Sequence, residues 1–234
     1  MKHPIELLEH YWNFSEFRPQ QEEIIEAVLA NEDCIALLPT GGGKSICFQI
    51  PALIKDGICI VVSPLIALMQ DQVINLKEKG IKAMALSNGF TYEDIDRMLD
   101  NCIYGNYKFL YLSPERLQQD LVQERIKQMN VNLIAVDEAH CISQWGHDFR
   151  PAYRDIKVLR TLHPNVNVIG LTASATDKVV KDICSQLDCI DPKIFKTSFQ
   201  RPNLAYLTLD CDDKYFKTVQ ILKKYSGSSI IYVR

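Results

Sequence analysis

With 234 residues, 47% of them hydrophobic, the chain is long enough to bury one large α/β core and leave part of a second domain over. It has no run of about 18 apolar residues to cross a bilayer, and its opening Met1-Lys2-His3-Pro4-Ile5-Glu6 lacks the basic-then-apolar order of a secretory signal, so a cytoplasmic protein is expected. A net charge of −3 weighs mildly against a nucleic-acid partner while leaving room for a local groove of Lys and Arg.

Along the chain, helix-period stretches are predicted at 18–29, 45–54, 66–78, 92–102, 118–129, 153–162 and 176–187, alternating with strands at 34–38, 58–63, 82–86, 108–112, 133–137 and 166–172. Several strands, such as Ile58-Cys59-Ile60-Val61-Val62 and Leu133-Ile134-Ala135-Val136, are continuous apolar runs, as expected when helices cover both faces of a parallel sheet. The expected class is therefore doubly wound α/β. After Arg201-Pro202-Asn203 a second unit is predicted, with a strand at 204–209, a helix at 214–225 carrying Phe216, Val219 and Leu222 on one face, and a strand at 230–233. Two strands and a helix cannot make an independent core, so 204–234 reads as the opening βαβ unit of a further domain behind a first domain of 1–203. The eight cysteines are scattered, never fall as CxxC and mostly sit in apolar runs, which predicts reduced, buried thiols rather than a zinc site.

The first chemistry lies between a predicted strand and helix, at Leu38-Pro39-Thr40-Gly41-Gly42-Gly43-Lys44-Ser45. Glycines let the backbone curl so that successive N–H groups, backed by a helix N-terminus, point at phosphate oxygens; Lys44 can reach the β and γ phosphates and Ser45 can hold Mg²⁺. The pattern GxxxxGK[ST] has glycine five residues before Gly43, where Leu38 stands here. The strand at 133–137 runs into Asp137-Glu138-Ala139-His140. An acidic residue at the carboxyl end of a parallel strand sits on the ligand-binding rim of the sheet, so Asp137 can hold Mg²⁺ and Glu138 can polarise the attacking water. Lys44, Asp137 and Glu138 are thus the expected catalytic set of a nucleotide hydrolase, with ATP and Mg²⁺ as cofactors.

Pro39 to Ser45, the Asp137-Glu138-Ala139-His140 tetrad and Leu171-Thr172-Ala173-Ser174-Ala175-Thr176 together resemble motifs I, II and III of superfamily-two helicases, in which the early glycine is not required. More specifically, Phe14-Ser15-Glu16-Phe17-Arg18-Pro19-Gln20-Gln21 and Cys141-Ile142-Ser143-Gln144-Trp145-Gly146-His147-Asp148-Phe149-Arg150-Pro151 resemble the RecQ family, and the likeness runs on through Ser198-Phe199-Gln200-Arg201-Pro202-Asn203 to Ile230-Ile231-Tyr232-Val233. The resemblance implies a RecA-like P-loop domain followed by the start of a second, in a bacterial cytoplasm or nucleoid. It implies an ATP-dependent DNA helicase that unwinds 3′ to 5′ at single strands and duplex junctions in recombination and repair.

Carried over by position, the resemblance has Phe14 stacking on adenine, Gln21 binding the base edge and Arg18 supporting the nucleotide, beside Thr40, Gly41, Gly42, Gly43, Lys44 and Ser45 on the phosphates. The alternative for Gln21 is a solvated position on its helix. Trp145, His147, Phe149 and Arg150 would form the aromatic-rich loop that links single-stranded DNA to hydrolysis, since interleaved rings and cations can stack bases and meet phosphates; the alternative is core packing. Ser63-Pro64-Leu65 and Ser113-Pro114-Glu115-Arg116 resemble segments that grip the DNA backbone, with turn and cap chemistry as the rival reading. In the family a second RecA-like domain supplies a transition-state arginine, so residues 1–234 alone are expected to bind Mg-ATP weakly and hydrolyse it near background, and, because unwinding requires two domains that open and close on DNA, not to unwind DNA. A reading from another class is a non-catalytic module that holds ATP or DNA. A transporter ATPase fits less well, because an LSGGQ-like signature is absent.

Overall fold

The structure is a computed structural model describing residues 3–87, 89–146, 148–197 and 204–233. The chain divides into two compact units, Met1–Phe199 and Gln200–Arg234.

In the first unit seven strands form one sheet: β1 (Cys34–Leu37), β2 (Ile58–Val62), β3 (Ala83–Leu86), β4 (Phe109–Leu112), β5 (Val131–Val136), β6 (Val168–Thr172) and β7 (Lys193–Lys196). Their order is β3-β4-β2-β5-β6-β1-β7 and every pairing is parallel. The connecting helices are α1 (Pro4–Trp12), α2 (Gln21–Leu29), α3 (Ile46–Ile54), α4 (Ile66–Glu78), α5 (Tyr92–Tyr104), α6 (Asp120–Gln128), α7 (Lys157–Leu162) and α8 (Asp177–Gln186). The expected α/β class holds, with the six strands predicted between 34 and 172 each found to within a residue or two.

Alternation along the strands explains the two layers. Ile35, Leu37, Ile60, Val62, Ile134 and Val136 face a core shared with Leu99, Val122, Ile126 and Ile183. Their neighbours Ala36, Cys59, Val61, Leu133 and Ala135 face the opposite core, filled by Ile24, Val28, Phe48, Met69 and Val73. Because both faces are covered, no polar alternation is tolerated: β2 is apolar throughout and β5 is apolar from Leu133 to Val136, its one polar residue, Asn132, lying near the strand's start. Burial also pushes the thiols of Cys34, Cys47, Cys102 and Cys141 up to about 12; all eight cysteines are free.

Three features add to the expected elements. Helix α1 packs Leu7 and Leu8 against Ile25, Ile46 and Ile50, and ends at Asn13 in a left-handed conformation (φ 56°) that turns the chain toward the phosphate loop. The predicted helices at 118–129 and 153–162 are each preceded or opened by a 3₁₀ turn, Pro114–Gln118 and Pro151–Ile156, because a proline stands at the first turn of each. The seventh strand is an edge strand with lysines at both ends, pinned by Asp33 just before β1: the buried Asp33 carboxylate accepts from the amides of Val168 and Ile190, both at 2.8 Å, and pairs with Arg160, while its carbonyl accepts from the Lys193 amide at 2.8 Å.

In the second unit α9 (Lys214–Lys224) forms as expected, its N-terminus capped by Asp213, which accepts from the Phe216 amide at 2.9 Å. The expected strands at 204–209 and 230–233 do not form, and no residue of α9 is buried. A strand is a pairing as well as a pattern, and these segments have neither a paired neighbour nor a core to hold an alternating face. The expected domain boundary at 203 adjoins 198–203, which lie outside the described residues. Among the described residues no helix is long and apolar enough to cross a membrane.

Candidate functional site

The loop from Pro39 to Ser45 leaves β1 and enters α3 at the carboxyl rim of the sheet, and two of its glycines are dictated by geometry. Gly43 has φ +76°, and a Cβ there would stand 2.4 Å from the side-chain nitrogen of Gln21; a Cβ on Gly42 would meet the Pro39 carbonyl at 2.8 Å. A side chain at Gly42 would collide with the loop's own backbone, and one at Gly43 would be strained and would displace Gln21 at the start of α2.

The start of α2 and the residues before it are tied to the loop by hydrogen bonds. The Arg18 amide donates to Gln21 Oε1 at 2.9 Å, Gln21 Nε2 donates to the Gly43 carbonyl at 3.0 Å and the Gly42 carbonyl at 3.3 Å, and the Arg18 guanidinium donates to the Gly41 carbonyl. Gln21 is only 3% exposed, which excludes the solvated-helix alternative. Phe14, in contrast, is 49% exposed and lines the same cleft.

On the neighbouring rim, the Asp137 amide continues the ladder to the Val62 carbonyl at 2.8 Å, and its side chain accepts from the Glu138 amide at 3.0 Å. Glu138 is left-handed (φ 47°), a conformation disfavoured for a residue with a Cβ and held here by the tight turn into Ala139–Ile142. Burial, reinforced by the adjacent Glu138 charge, raises the Asp137 carboxyl above its ordinary range; the Lys44 ammonium opposes this. Glu138 Oε1 lies 4.0 Å from Lys44 Nζ, and its Oε2 lies 3.3 Å from His140 Nδ1.

A cleft of about 880 Å³ collects these groups: Phe14, Arg18, Gln21, Thr40, Gly41, Gly43, Lys44, Ser45, Asp137 and Glu138 all line it. Residues from three distant stretches of sequence thus converge on one concavity with hard oxygen donors, an ammonium and an aromatic face. Such a lining can hold a polyphosphate at one end and a planar ring at the other. Ser45 and Asp137 offer the hydroxyl and carboxylate oxygens that suit Mg²⁺.

The aromatic-rich segment forms a separate surface. Trp145 is 64% exposed, with the Lys178 ammonium 3.0 Å from its ring centroid, so it is not core. Phe149 is half-buried beneath the Arg154 guanidinium, 5.1 Å from the ring centroid. Arg150 donates to the Pro64 carbonyl at 3.2 Å, which joins this segment to the end of β2. His147 lies outside the described residues. At the two Ser-Pro segments, Leu65 rather than Ser63 is the cap residue of α4, and the Ser113 side chain makes no cap bond, so side-chain capping does not account for either serine.

Two partners had no place in the sequence reading. His140 Nδ1 meets Thr172 Oγ1 at 2.9 Å, tying the acidic tetrad to 171–176, and Gln72 of α4 donates to Ser45 Oγ at 2.9 Å. The first had a signal, since His140 and Thr172 both stand at the ends of predicted strands; the second joins residues whose only link is the fold.

Comparison with known proteins agrees with this geometry. The family described as "DEAD/DEAH box helicase" matches residues 18–183. Similar proteins include the "Probable ATP-dependent DNA helicase RecS" of Bacillus subtilis, 40% identical over 96% of this chain and 46% of the relative, and the "ATP-dependent DNA helicase RecQ" of the same organism, 45% identical over 89% of this chain and 36% of the relative. The chain therefore spans less than half the length of these relatives. Among solved structures, the DEAD-box helicase Mss116 bound to single-stranded RNA and UDP-BeF is similar with a TM-score of 0.67 at 19% identity, covering 84% of this chain and 43% of that one; at that identity the likeness speaks for the fold.

Proposed function

Because the chain belongs to the DEAD/DEAH box helicase family, we propose that it is the ATP-binding motor portion of a RecQ-type DNA helicase. The observation that carries this reading is the single cleft that joins the Phe14-to-Gln21 segment, the phosphate loop and the Asp137-Glu138 pair. In this reading Phe14 stacks on the adenine and Gln21 turns from the loop carbonyls to the base edge. Gly41 to Lys44 hold the phosphates beside Arg18 and Thr40, and Ser45 and Asp137 hold Mg²⁺. The ion, when bound, would offset the charge on the β and γ phosphates. Glu138 orients water against the γ phosphate and takes up its proton, while the buried surroundings strengthen each of these interactions.

The partner proposed is DNA, single-stranded and at duplex junctions, met by Trp145, His147, Phe149 and Arg150, with 3′-to-5′ unwinding in recombination and repair as the parent activity. Residues 1–203 would form the first RecA-like domain and 204–234 the beginning of a second. Calorimetric titration with Mg-ATP tests the nucleotide site directly. Wild type should bind, and Lys44→Ala should bind roughly ten- to a hundredfold more weakly, the loss of about 1.5–3 kcal/mol of charge-assisted hydrogen bonding. Equal affinities in the two proteins would refute the assignment of Lys44.

A further inference from the structure

Behind the phosphate loop, three polar side chains form a chain into the core. Gln72 Nε2 donates to Ser45 Oγ at 2.9 Å; Gln72 Oε1 accepts from Gln49 Nε2 at 2.9 Å; and Gln49 Nε2 also donates to the Tyr111 hydroxyl at 3.2 Å. The far end is fixed, since Tyr111 lies on β4, paired on both sides by β3 and β2, and both it and Gln49 are buried. Burial raises the Tyr111 hydroxyl above its ordinary range, so it stays neutral.

The polarity of this chain follows from counting donors. Both protons on the Gln49 amide nitrogen are committed, one to Tyr111 and one to the Gln72 carbonyl. The Gln72 amide therefore turns its oxygen inward and its nitrogen toward Ser45. A serine hydroxyl has one proton and two acceptor positions. With a donor from Gln72 on one acceptor position, the second lone pair and the hydroxyl proton are left for partners inside the cleft. A metal ion needs that lone pair, and an acidic or phosphate oxygen can take the proton.

We propose that Gln72 is a positioning residue for the metal-binding end of the nucleotide site, holding Ser45 Oγ in the orientation that Mg²⁺ requires. This rests on the reading of Ser45 as a metal ligand given above. Gln72 is only partly buried, so changes there should leave the fold intact.

The test follows binding rather than turnover. Nucleotide affinity is measured with a fluorescent ADP analogue, first in EDTA and then across a Mg²⁺ titration, for wild type, Gln72→Met, Gln72→Asn, Ser45→Ala and the Ser45→Ala/Gln72→Met double variant. Gln72→Met keeps side-chain length without hydrogen bonds, and Gln72→Asn keeps the amide but is one methylene short. Both should leave affinity in EDTA within about twofold of wild type and raise the Mg²⁺ midpoint by about tenfold, the low end of the 10–100-fold typical when a partner of a metal ligand is removed. The double variant should be no worse than Ser45→Ala alone, because Gln72 acts through Ser45. A shifted Ser45→Ala beside unshifted Gln72 variants would overturn the role of Gln72 and leave the metal site standing. A shift in Gln72→Asn that Gln72→Met lacks would show packing and overturn it too. An unshifted Ser45→Ala would overturn both the metal reading and this inference.

Discussion

Lys44 Nζ stands 4.0 Å from Glu138 Oε1, so the ammonium proposed to meet phosphate and the carboxylate proposed to orient water face one another across the same cleft. The pair is partly exposed, so its own contribution to stability is small. In the proposed reading its significance is competitive: a bound triphosphate would have to draw Lys44 from Glu138.

The two substitutions should therefore diverge. Lys44→Ala should weaken Mg-ATP binding, whereas Glu138→Gln removes the competing charge and should preserve or tighten it while lowering hydrolysis, in a version that includes the second RecA-like domain, by about two to four orders of magnitude, the usual effect of losing a positioned general base. Equilibrium binding and single-turnover hydrolysis measured on the same preparations separate the two. Weaker ATP binding by Glu138→Gln would contradict this division of roles.

Trp145 is 64% exposed under the Lys178 ammonium, which makes its proposed contact with DNA separable from its contribution to the fold. Trp145→Ala should weaken binding of a single-stranded oligonucleotide by about 1–3 kcal/mol, one base stack. Mg-ATP affinity should not change. A buried tryptophan would instead cost about 3–5 kcal/mol of stability, so a thermal melt and a fluorescence-anisotropy titration together distinguish the readings. Large destabilisation with unchanged DNA affinity would return Trp145 to core packing.

How far the sequence could be read depended on whether the information was local. Strands β2 and β5 were legible because burial on both faces leaves the continuous apolar runs Ile58–Val62 and Leu133–Val136, and the phosphate loop because its glycines and Lys44 are adjacent. Edge strand β7 was not legible: Lys193 and Lys196 flank only Ile194 and Phe195, and what places it is Asp33 at the other end of the unit. The segments 204–209 and 230–233 fail in the opposite way, having the pattern of strands without a neighbour to pair with. In the cleft, the chemical residues were readable, but Gln72 and Gln49 were not, because each is an ordinary helix residue until the fold brings it to Ser45 and Tyr111, 27 and 62 residues away in sequence.

Asp33 offers a test of how the first unit is held together. Its carboxylate satisfies the amides of Val168 and Ile190 and pairs with Arg160, whose side chain is 11% exposed. Asp33→Ala would leave the buried Val168 amide and the part-buried Ile190 amide without their acceptor and the nearly buried Arg160 guanidinium with only the Val166 and Asp188 carbonyls, so the loss should be about 3 kcal/mol, the low end for breaking one partner of a buried pair. Urea denaturation of wild type and variant reads this as a lowered midpoint with an unchanged slope. A loss under about 1 kcal/mol, the range of surface pairs, would show that solvent reaches Arg160 and that the cluster is not structural.

The acidic rim should reveal a conflict between stability and function at Asp137. Burial and the neighbouring Glu138 both oppose its ionised form, and the attraction of Lys44 is the weaker influence. Ionised at neutral pH, a carboxylate in this position costs stability that a bound cation would offset. Asp137→Asn keeps the size and the oxygen that accepts from the Glu138 amide while removing the charge. In the absence of metal and nucleotide the variant should therefore melt higher than wild type, by about 2–4 °C for each kcal/mol relieved in a chain of this size. On adding Mg²⁺ and ADP the order should reverse, because the ion stabilises only the protein that binds it. Differential scanning fluorimetry with and without the ligands gives both comparisons in one experiment. If Asp137→Asn melts lower than wild type in EDTA, Asp137 is a structural acceptor rather than a strained metal ligand; if the variant gains as much as wild type from Mg-ADP, the ion is held elsewhere.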